Sequence, residues 1–208
     1  LATMAPAEPV DYTQESAADK AQRMAWFNED RFGLFIHWGL YAVPAGVWGD
    51  RTDHREWIMA EAQIPTSRYE QFADAVNPTK FDADAWVLAA KDAGMRYIVL
   101  TSKHHDGFAL WPTKQGDWSI ERTPFGRDPL AELAAACRRH GLRLAFYHSI
   151  LDWYHPGYEP RIACYDRDAG PTDMDAYVTH LKAQLKELID NYGPLAIMWF
   201  DGEWDASW

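Results

Sequence analysis

The chain is poor in cysteine, in basic charge and in long apolar runs, and each shortage closes off a class of protein. Of its 208 residues only Cys137 and Cys164 are cysteines, one in a helical pattern and one in a loop-like stretch. That is too few for a disulfide scaffold, and two distant thiols do not make a metal site. Lys and Arg number 20 against 31 Asp and Glu, a net charge of −11, and only Arg138-Arg139 are adjacent. Nucleic acids and anionic membranes both need a basic patch, so neither is an expected partner. No apolar stretch approaches the roughly 18 residues that span a bilayer. G-x-G-x-x-G and G-x-x-x-x-G-K-[ST] are missing as well, which removes the usual phosphate cradles.

Aromatic residues are plentiful: 14% of the chain, with 11 tryptophans. Such a density serves either a core of large rings or a surface that stacks on flat partners such as sugars. Residues 1–14 are rich in Pro and Ala without a period and read as an extended arm. Ser16 caps a helix running to about Asn28, and Arg31 to His37 reads as a first strand. After a long connection, three helix–strand units follow. Asp82 opens a helix with Trp86, Ala89, Ala90 and Ala93 in register, Gly94 stops it, and Tyr97 to Leu100 is a strand. Asp128 opens the next, with Pro129 in its first turn and a stripe of Leu130, Leu133, Ala134 and Cys137, up to Gly141; Leu142 to Tyr147 is its strand. Thr172 or Asp173 opens the third, with Tyr177, Leu181, Leu185, Leu188 and Tyr192 on one side, up to Gly193-Pro194, before Leu195 to Phe200. Each helix has a polar starter and a terminal glycine suited to a left-handed cap.

The strands are continuously apolar, not alternating, so both faces are covered, as in a parallel sheet with right-handed crossovers. A doubly wound sheet gathers its ligand residues at one switch point, whereas a barrel delivers side chains from every strand's C-terminal end to one mouth. Here all four strand ends are polar: His37-Trp38-Gly39, Ser102 to Gly107, Tyr147-His148-Ser149 running on to Asp152-Trp153, and Asp201-Gly202-Glu203-Trp204. The expected fold is therefore α/β, a (β/α)₈ TIM-like barrel of which about the first four strands are present.

Each cluster has a structural reading beside the functional one. Asp201 has the residue type of a helix N-cap, but Gly202-Glu203-Trp204 is a poor helix start, and the strand alternation turns Asp201 to the same side as Trp199. His104 and His105 point to opposite faces of a regular strand, so one of them packs unless the strand is already ending. A core histidine against Trp38 explains His37 equally well, a solvated side chain explains Glu56, and only one of Tyr147 and His148 faces inward. His37, His104, His105, His148 and Asp201 include zinc-type ligands, yet no His-x-His pair or helical His-x-x-x-His exists, so no metal or other cofactor is expected.

Four stretches, "RFGLFIHWGLYAVPAGVWG" with "REW" after it, "TSKHHDGFALWPTK", "FYHSILDWYHP" and "MWFDGEWD", together resemble the α-L-fucosidases of glycoside hydrolase family 29. The resemblance runs from about Trp26 to Trp204. It implies a retaining exo-glycosidase that removes terminal α-L-fucose from fucosylated oligosaccharides or glycoconjugates, in a secreted, periplasmic or lysosome-like compartment. By motif position Asp201 matches the nucleophile. His37, His104 and His105 match residues that bind the fucose hydroxyls. Glu56 and Trp57 match a pair near the sugar, although Ile58 stands where many members have Tyr. Trp199 matches a pocket wall, and Tyr147-His148 matches a place where many members have two tyrosines. The family's acid/base is usually a glutamate beyond a later strand; within these motifs Glu56, and less directly Glu203, are the candidates.

On this resemblance residues 15–208 read as the N-terminal half of the catalytic domain, without the C-terminal half and the family's usual β-sandwich, and as a poor catalyst alone. Two other readings stand beside it: a non-catalytic fucose-binding protein, and a metal-dependent hydrolase on a similar barrel.

Overall fold

A computed structural model describes residues 12–204. Two compact units meet between Arg31 and Phe32 in the sequence. In the first, helix α1 (Ala17–Asp30) starts where Ser16, in extended conformation, accepts the Asp19 N–H on its side chain. It ends at Arg31, whose left-handed φ of 39° lets its N–H reach the Phe27 carbonyl. Most of the arm expected over residues 1–14 lies outside the described residues; Tyr12–Gln14 form a 3-10 turn.

The second unit is built on four parallel strands: β1 (Gly33–Ile36), β2 (Tyr97–Lys103), β3 (Arg143–Ser149) and β4 (Ile197–Asp201). They are hydrogen-bonded in chain order, β1-β2-β3-β4, as an open sheet. A doubly wound sheet reverses its strand order at a switch point, and this one does not. Sequential order is what a barrel requires. Between β1 and β2 run two short helices, α2 (Ile58–Glu61) and α3 (Thr66–Tyr69), and then α4 (Ala83–Asp92). Helices α5 (Pro129–His140) and α6 (Met174–Tyr192) carry the next two crossovers.

The capping residues act as their types dictate. Asp82, Asp128 and Asp173 each accept the backbone N–H three positions on, at 3.0, 2.9 and 2.9 Å. Gly94 and Gly141 take the left-handed conformation, φ 86° and 75°. Gly193 does not: its φ is −58° and ψ 167°. The reason is the following Pro194, which drives the residue before it into the extended region. Glycine is still needed there, because an added Cβ would sit 2.6 Å from the Ile189 carbonyl oxygen.

Register separates the two faces of the sheet. Phe35, Val99, Ala145 and Ile197 stand side by side across the four strands, as do Ile36, Leu100, Phe146 and Met198 one residue later. The second row meets the helices: Leu100 and Phe146 share a closed core with Val87 and Ala90 of α4, Leu130, Leu133 and Cys137 of α5, and Leu188 and Tyr192 of α6. Val99, Ala145 and Ile197 of the first row belong to a smaller cluster with Tyr97 and Tyr147. β2 and β3 are buried almost throughout, as continuous apolar runs require, but β4 is not. It forms one edge of the sheet, and Trp199 and Phe200, on opposite faces, are both half exposed.

Candidate active site

The C-terminal ends of the four strands converge on Asp201, the last residue of β4. Its side chain is 28% exposed and accepts a 2.6 Å hydrogen bond from the Tyr147 hydroxyl on Oδ2. The Asp201 carbonyl is held by the Ile150 N–H at 2.9 Å. Tyr147 is two residues short of the residue paired with Asp201, so the strand alternation puts both on one face. Its ring lies flat against His104, centroids 5.3 Å apart, and beside His37 at 5.4 Å. Phe35 stacks on His37 at 5.2 Å and meets Trp199 edge-on at 5.5 Å, so β1 and β4 close the wall between them.

β2 ends irregularly, with a register shift between Thr101 and Lys103. The break is what lets His104 and His105 lie on the same side, ring centroids 4.2 Å apart. Their orientation is fixed from behind. The Ser149 hydroxyl donates to the Leu151 carbonyl at 2.8 Å, so at the 2.6 Å contact the His105 Nδ1–H is the donor to Ser149. Nε2 then carries the lone pair of a neutral imidazole, 3.8 Å from Asp201 Oδ2 and without a hydrogen-bond partner among the described residues. Thr101 ties down the exit of β1, donating to the Trp38 carbonyl at 2.7 Å and accepting the Trp38 N–H at 2.9 Å.

Burial sets the protonation states. The His105 imidazole is pushed down to about 4, burial outweighing the Asp201 carboxylate, which pulls the other way. His104 falls to about 2, through burial first and then its neighbours His105 and His37. The Tyr147 phenol is raised, by burial and then by its bond to Asp201. At neutral pH the His104 and His105 imidazoles and the Tyr147 phenol are thus uncharged beside the partly open Asp201 side chain. The walls of this pocket can both donate and accept hydrogen bonds, which suits an uncharged polyhydroxyl ligand.

A buried ion pair fastens two of the loops. Lys103 Nζ donates to Asp152 Oδ2 at 3.0 Å, the side chains being 0% and 3% exposed. Asp152 Oδ1 in turn accepts the N–H groups of Tyr154 and His155 at 3.1 and 2.8 Å. Between them the Trp153 N–H donates to the His105 carbonyl at 2.7 Å. The pair therefore fixes the residue before His104 to the residue before Trp153. Gly107 permits the approach: an added Cβ would lie 2.3 Å from Asp152 Oδ1.

Most of the residues singled out from the sequence meet here. Asp201, His37, His104, His105, Tyr147 and Trp199 form one cluster. Trp57 joins it edge-on to His105 at 5.0 Å, and Glu56 stands beside Trp57 in a short 3-10 turn. His148 does not join. It points to the helix face of β3, where its Nδ1 lies 2.9 Å from Ser102 Oγ and its ring 6.0 Å from Trp111. Glu203 is exposed beyond β4. Among the described residues no three His, Cys, Asp or Glu side chains converge as metal ligands. Sequence reasoning passed over Phe35 and Ser149, although each stands two residues from a chosen residue and so on its face. It also passed over Lys103, whose partner is 49 residues away, a pairing with no local signal.

The α-L-fucosidase family model matches residues 2–208. Bovine tissue α-L-fucosidase is 33% identical over 211 residues, covering 96% of this chain and 43% of its own length. Among solved structures, α-L-fucosidase isoenzyme 1 of Paenibacillus thiaminolyticus superposes with a TM-score of 0.79 at 42% identity, over 89% of this chain and 44% of that one. A family 29 α-L-fucosidase of Bacteroides thetaiotaomicron, solved as a trapped covalent intermediate with 2-fluoro-fucosyl fluoride, gives 0.81 at 39% identity, over 89% and 42%. This chain spans about two fifths of the length of these relatives. With four strands in barrel order and a family model matched across them, the chain belongs to the α-L-fucosidase family.

Proposed function

We propose that this chain forms the fucose-holding half of a retaining α-L-fucosidase, with Asp201 as nucleophile. The observation that carries the reading is the Asp201 carboxylate: it stands at the end of β4, is anchored through one oxygen by Tyr147, and is still partly open beside neutral histidines. A rigid strand end holds a carboxylate oxygen in line with an anomeric carbon. Attack forms the Asp201–C1 ester bond and breaks the C1–O bond to the leaving group, whose oxygen takes a proton from a general acid. Water then attacks C1, gives its proton to the same group acting as base, and returns the carboxylate. Within this chain Glu56 is the glutamate proposed for acid/base duty, being next to Trp57 at the pocket.

His37, His104 and His105 would hydrogen-bond the hydroxyls. Phe35, Tyr147 and Trp199 would cover the apolar edge and methyl group of a 6-deoxy sugar, with Trp57 on the other side of His105. His148, the remaining residue that the family resemblance marks for sugar contact, supports the pocket from behind the strand. Substrate would be a fucosylated glycan. In domain terms, residues 15–208 are proposed as the first half of a (β/α)₈ catalytic domain, the four sequential parallel strands and the length of the relatives supporting that assignment.

The test is covalent trapping. Incubating the chain with 2-fluoro-fucosyl fluoride and digesting it should yield a peptide containing Asp201 that carries one 2-fluoro-fucosyl group. Saturable binding of fucose without any adduct would replace the enzyme by a fucose-binding protein. An adduct on another carboxylate would displace Asp201.

A further inference from the structure

We propose that a second cavity, closed on one side by the segment Asp152 to His155 and on another by α6, holds a free monosaccharide, an uncharged pyranose that is no part of the substrate being cleaved. The cavity measures about 230 Å³, and its walls include Thr113, Gln115, Trp118, Tyr154, His180 and Gln184. That is below the roughly 300–1,000 Å³ of pockets for drug-sized ligands and suits a single ring.

The cavity is separate from the Asp201 site. In the segment after β3, Trp153 packs its ring against Trp57 and His105, at 5.3 and 5.2 Å. Its neighbours Asp152, Tyr154 and His155 line the cavity instead. The segment is thus a partition, pinned by the Lys103–Asp152 ion pair and by the Trp153 N–H on the His105 carbonyl. Neither Asp201 nor His37, His104, His105 or Tyr147 lines the cavity, so this inference does not depend on the role given to Asp201.

The wall opposite the partition is already fixed. Glu187 of α6 accepts from Thr113 Oγ1 at 2.7 Å and from Gln115 Nε2 at 2.9 Å, and Thr113 Oγ1 accepts the Gln115 N–H at 3.1 Å. That leaves Gln115 Oε1 as an acceptor. Trp118 stacks flat on Tyr154, centroids 4.4 Å apart, and the two ring edges supply apolar surface for C–H groups.

The remaining polar groups are unspent. Gln184 is 2% exposed and its Oε1 has no partner among the described residues, a cost that a ligand hydroxyl would remove. The Gly157 N–H donates to His155 Nδ1 at 3.0 Å, so the neutral ring carries its proton on Nε2 and can donate it. His180, its ring 4.5 Å from that of His155, makes no hydrogen bond among the described residues. Burial, and then the Lys103 charge, hold the His180 imidazole down at about 4, so it is neutral and able both to donate and to accept. Charged occupants are disfavoured. Lys103 faces Asp152 and Arg167 lies 3.4 Å from Glu70, so neither cation is left for an anion. Among the described residues no three His, Cys, Asp or Glu side chains converge on a metal. Neutral donors and acceptors beside aromatic edges match the hydroxyls and C–H groups of a pyranose.

The test titrates the 208-residue chain, ¹⁵N-labelled at its tryptophan indoles, with D-glucose, D-galactose and L-fucose, and follows each indole signal by NMR. At least one sugar should move the Trp118 signal along a saturating curve that Trp57 and Trp153, on the other side of the partition, do not share. Gln184→Leu and His180→Ala should each weaken that curve by about tenfold, the loss of one buried hydrogen bond to a sugar hydroxyl. Any response of Trp57 and Trp153 to L-fucose should be unchanged in both variants. His180 is half-buried, so its variant keeps the test decisive if Gln184→Leu fails to fold. If no sugar moves Trp118, or Trp118 follows the same curve as Trp57 and Trp153, or the binding survives both variants, the cavity is not a sugar site. An L-fucose response confined to Trp57 and Trp153 would remove this site and leave the fucose pocket standing.

Discussion

On β3, Tyr147 turns to the open face of the sheet and ends on Asp201, whereas His148 turns to the helices and ends on Ser102. The polar groups divide the same way. On the helix face Lys103 is paired with Asp152 and His148 Nδ1 with Ser102, leaving His148 Nε2 fully buried and without a partner among the described residues. On the open face the polar groups are held from behind and left unspent in front. His105 is oriented by Ser149, yet its Nε2 has no partner among the described residues, and the Asp201 carboxylate is anchored through one oxygen and remains partly open. The apolar residues divide by strand instead: Leu100 and Phe146 on the helix face and Val99 and Ala145 on the open face are buried in the central strands, whereas Phe35, Trp199 and Phe200 on the edge strands are exposed by 38%, 51% and 51%. Burying a polar group costs free energy unless its hydrogen bonds are met. One face therefore supports the fold, and the other keeps its hydrogen-bonding capacity for a ligand.

Mutations on the two faces should give different failures. The largest effect is expected at Asp201. Asp201→Asn keeps the shape but cannot form the ester at a useful rate, so fucoside turnover should fall roughly 10⁴-fold or more while thermal stability barely moves. Azide added to Asp201→Ala should restore part of the rate by forming a fucosyl azide. Near-normal turnover by Asp201→Asn would remove it from the open-face chemistry. The mirror case is Lys103→Met, which leaves Asp152 as an uncompensated buried charge. Denaturant unfolding should show a loss of about 3–5 kcal/mol, and pairing it with Asp152→Asn, which removes the charge but keeps an acceptor for the Tyr154 and His155 N–H groups, should restore most of it. If the single substitution is harmless, the helix face is not held as described.

A smaller effect separates the faces by pH. The His105 imidazole falls from 6.5 to about 4 on folding, so between those values the unfolded chain takes up a proton that the folded one refuses. Stability is fully present above about pH 6.5 and is lost as pH falls toward 4. The shift corresponds to on the order of 3 kcal/mol. His105→Gln should flatten that part of the unfolding free energy against pH, relative to wild type. An unchanged profile would mean that His105 is already charged in the fold. The smallest effect is expected from His104→Ala. Fucose affinity should drop by the roughly 0.5–1.5 kcal/mol of one hydrogen bond to a neutral hydroxyl, with little loss of fold. Calorimetry that finds the affinity unchanged would make His104 a packing residue against Tyr147.

The helices and strands were legible because their signals are local. An aspartate sits before each of the three crossover helices, an apolar stripe runs along each, and a glycine closes each. Only Gly193 departs, since its neighbour Pro194 overrules the left-handed cap. Asp201 was legible as well, through its alternation with Trp199. Whether His104 and His105 shared a face was not, because that depends on the irregularity after Thr101, which is set by pairing with β3. The Tyr147-His148 choice was open for the same reason: alternation says that the two differ and not which one faces inward.

Local periodicity and capping chemistry are short-range properties, so the sequence by itself determined the order of elements, the parallel α/β class and the polar strand ends that mark the site. The tertiary structure alone decided which of two adjacent side chains meets Asp201. It also brought Lys103 to Asp152 across 49 residues and set three tryptophans from three segments around His105. Those contacts depend on strand register and on loops meeting at the end of the sheet. Neither is encoded within any single segment, because each side chain's partner is supplied by a different stretch of chain.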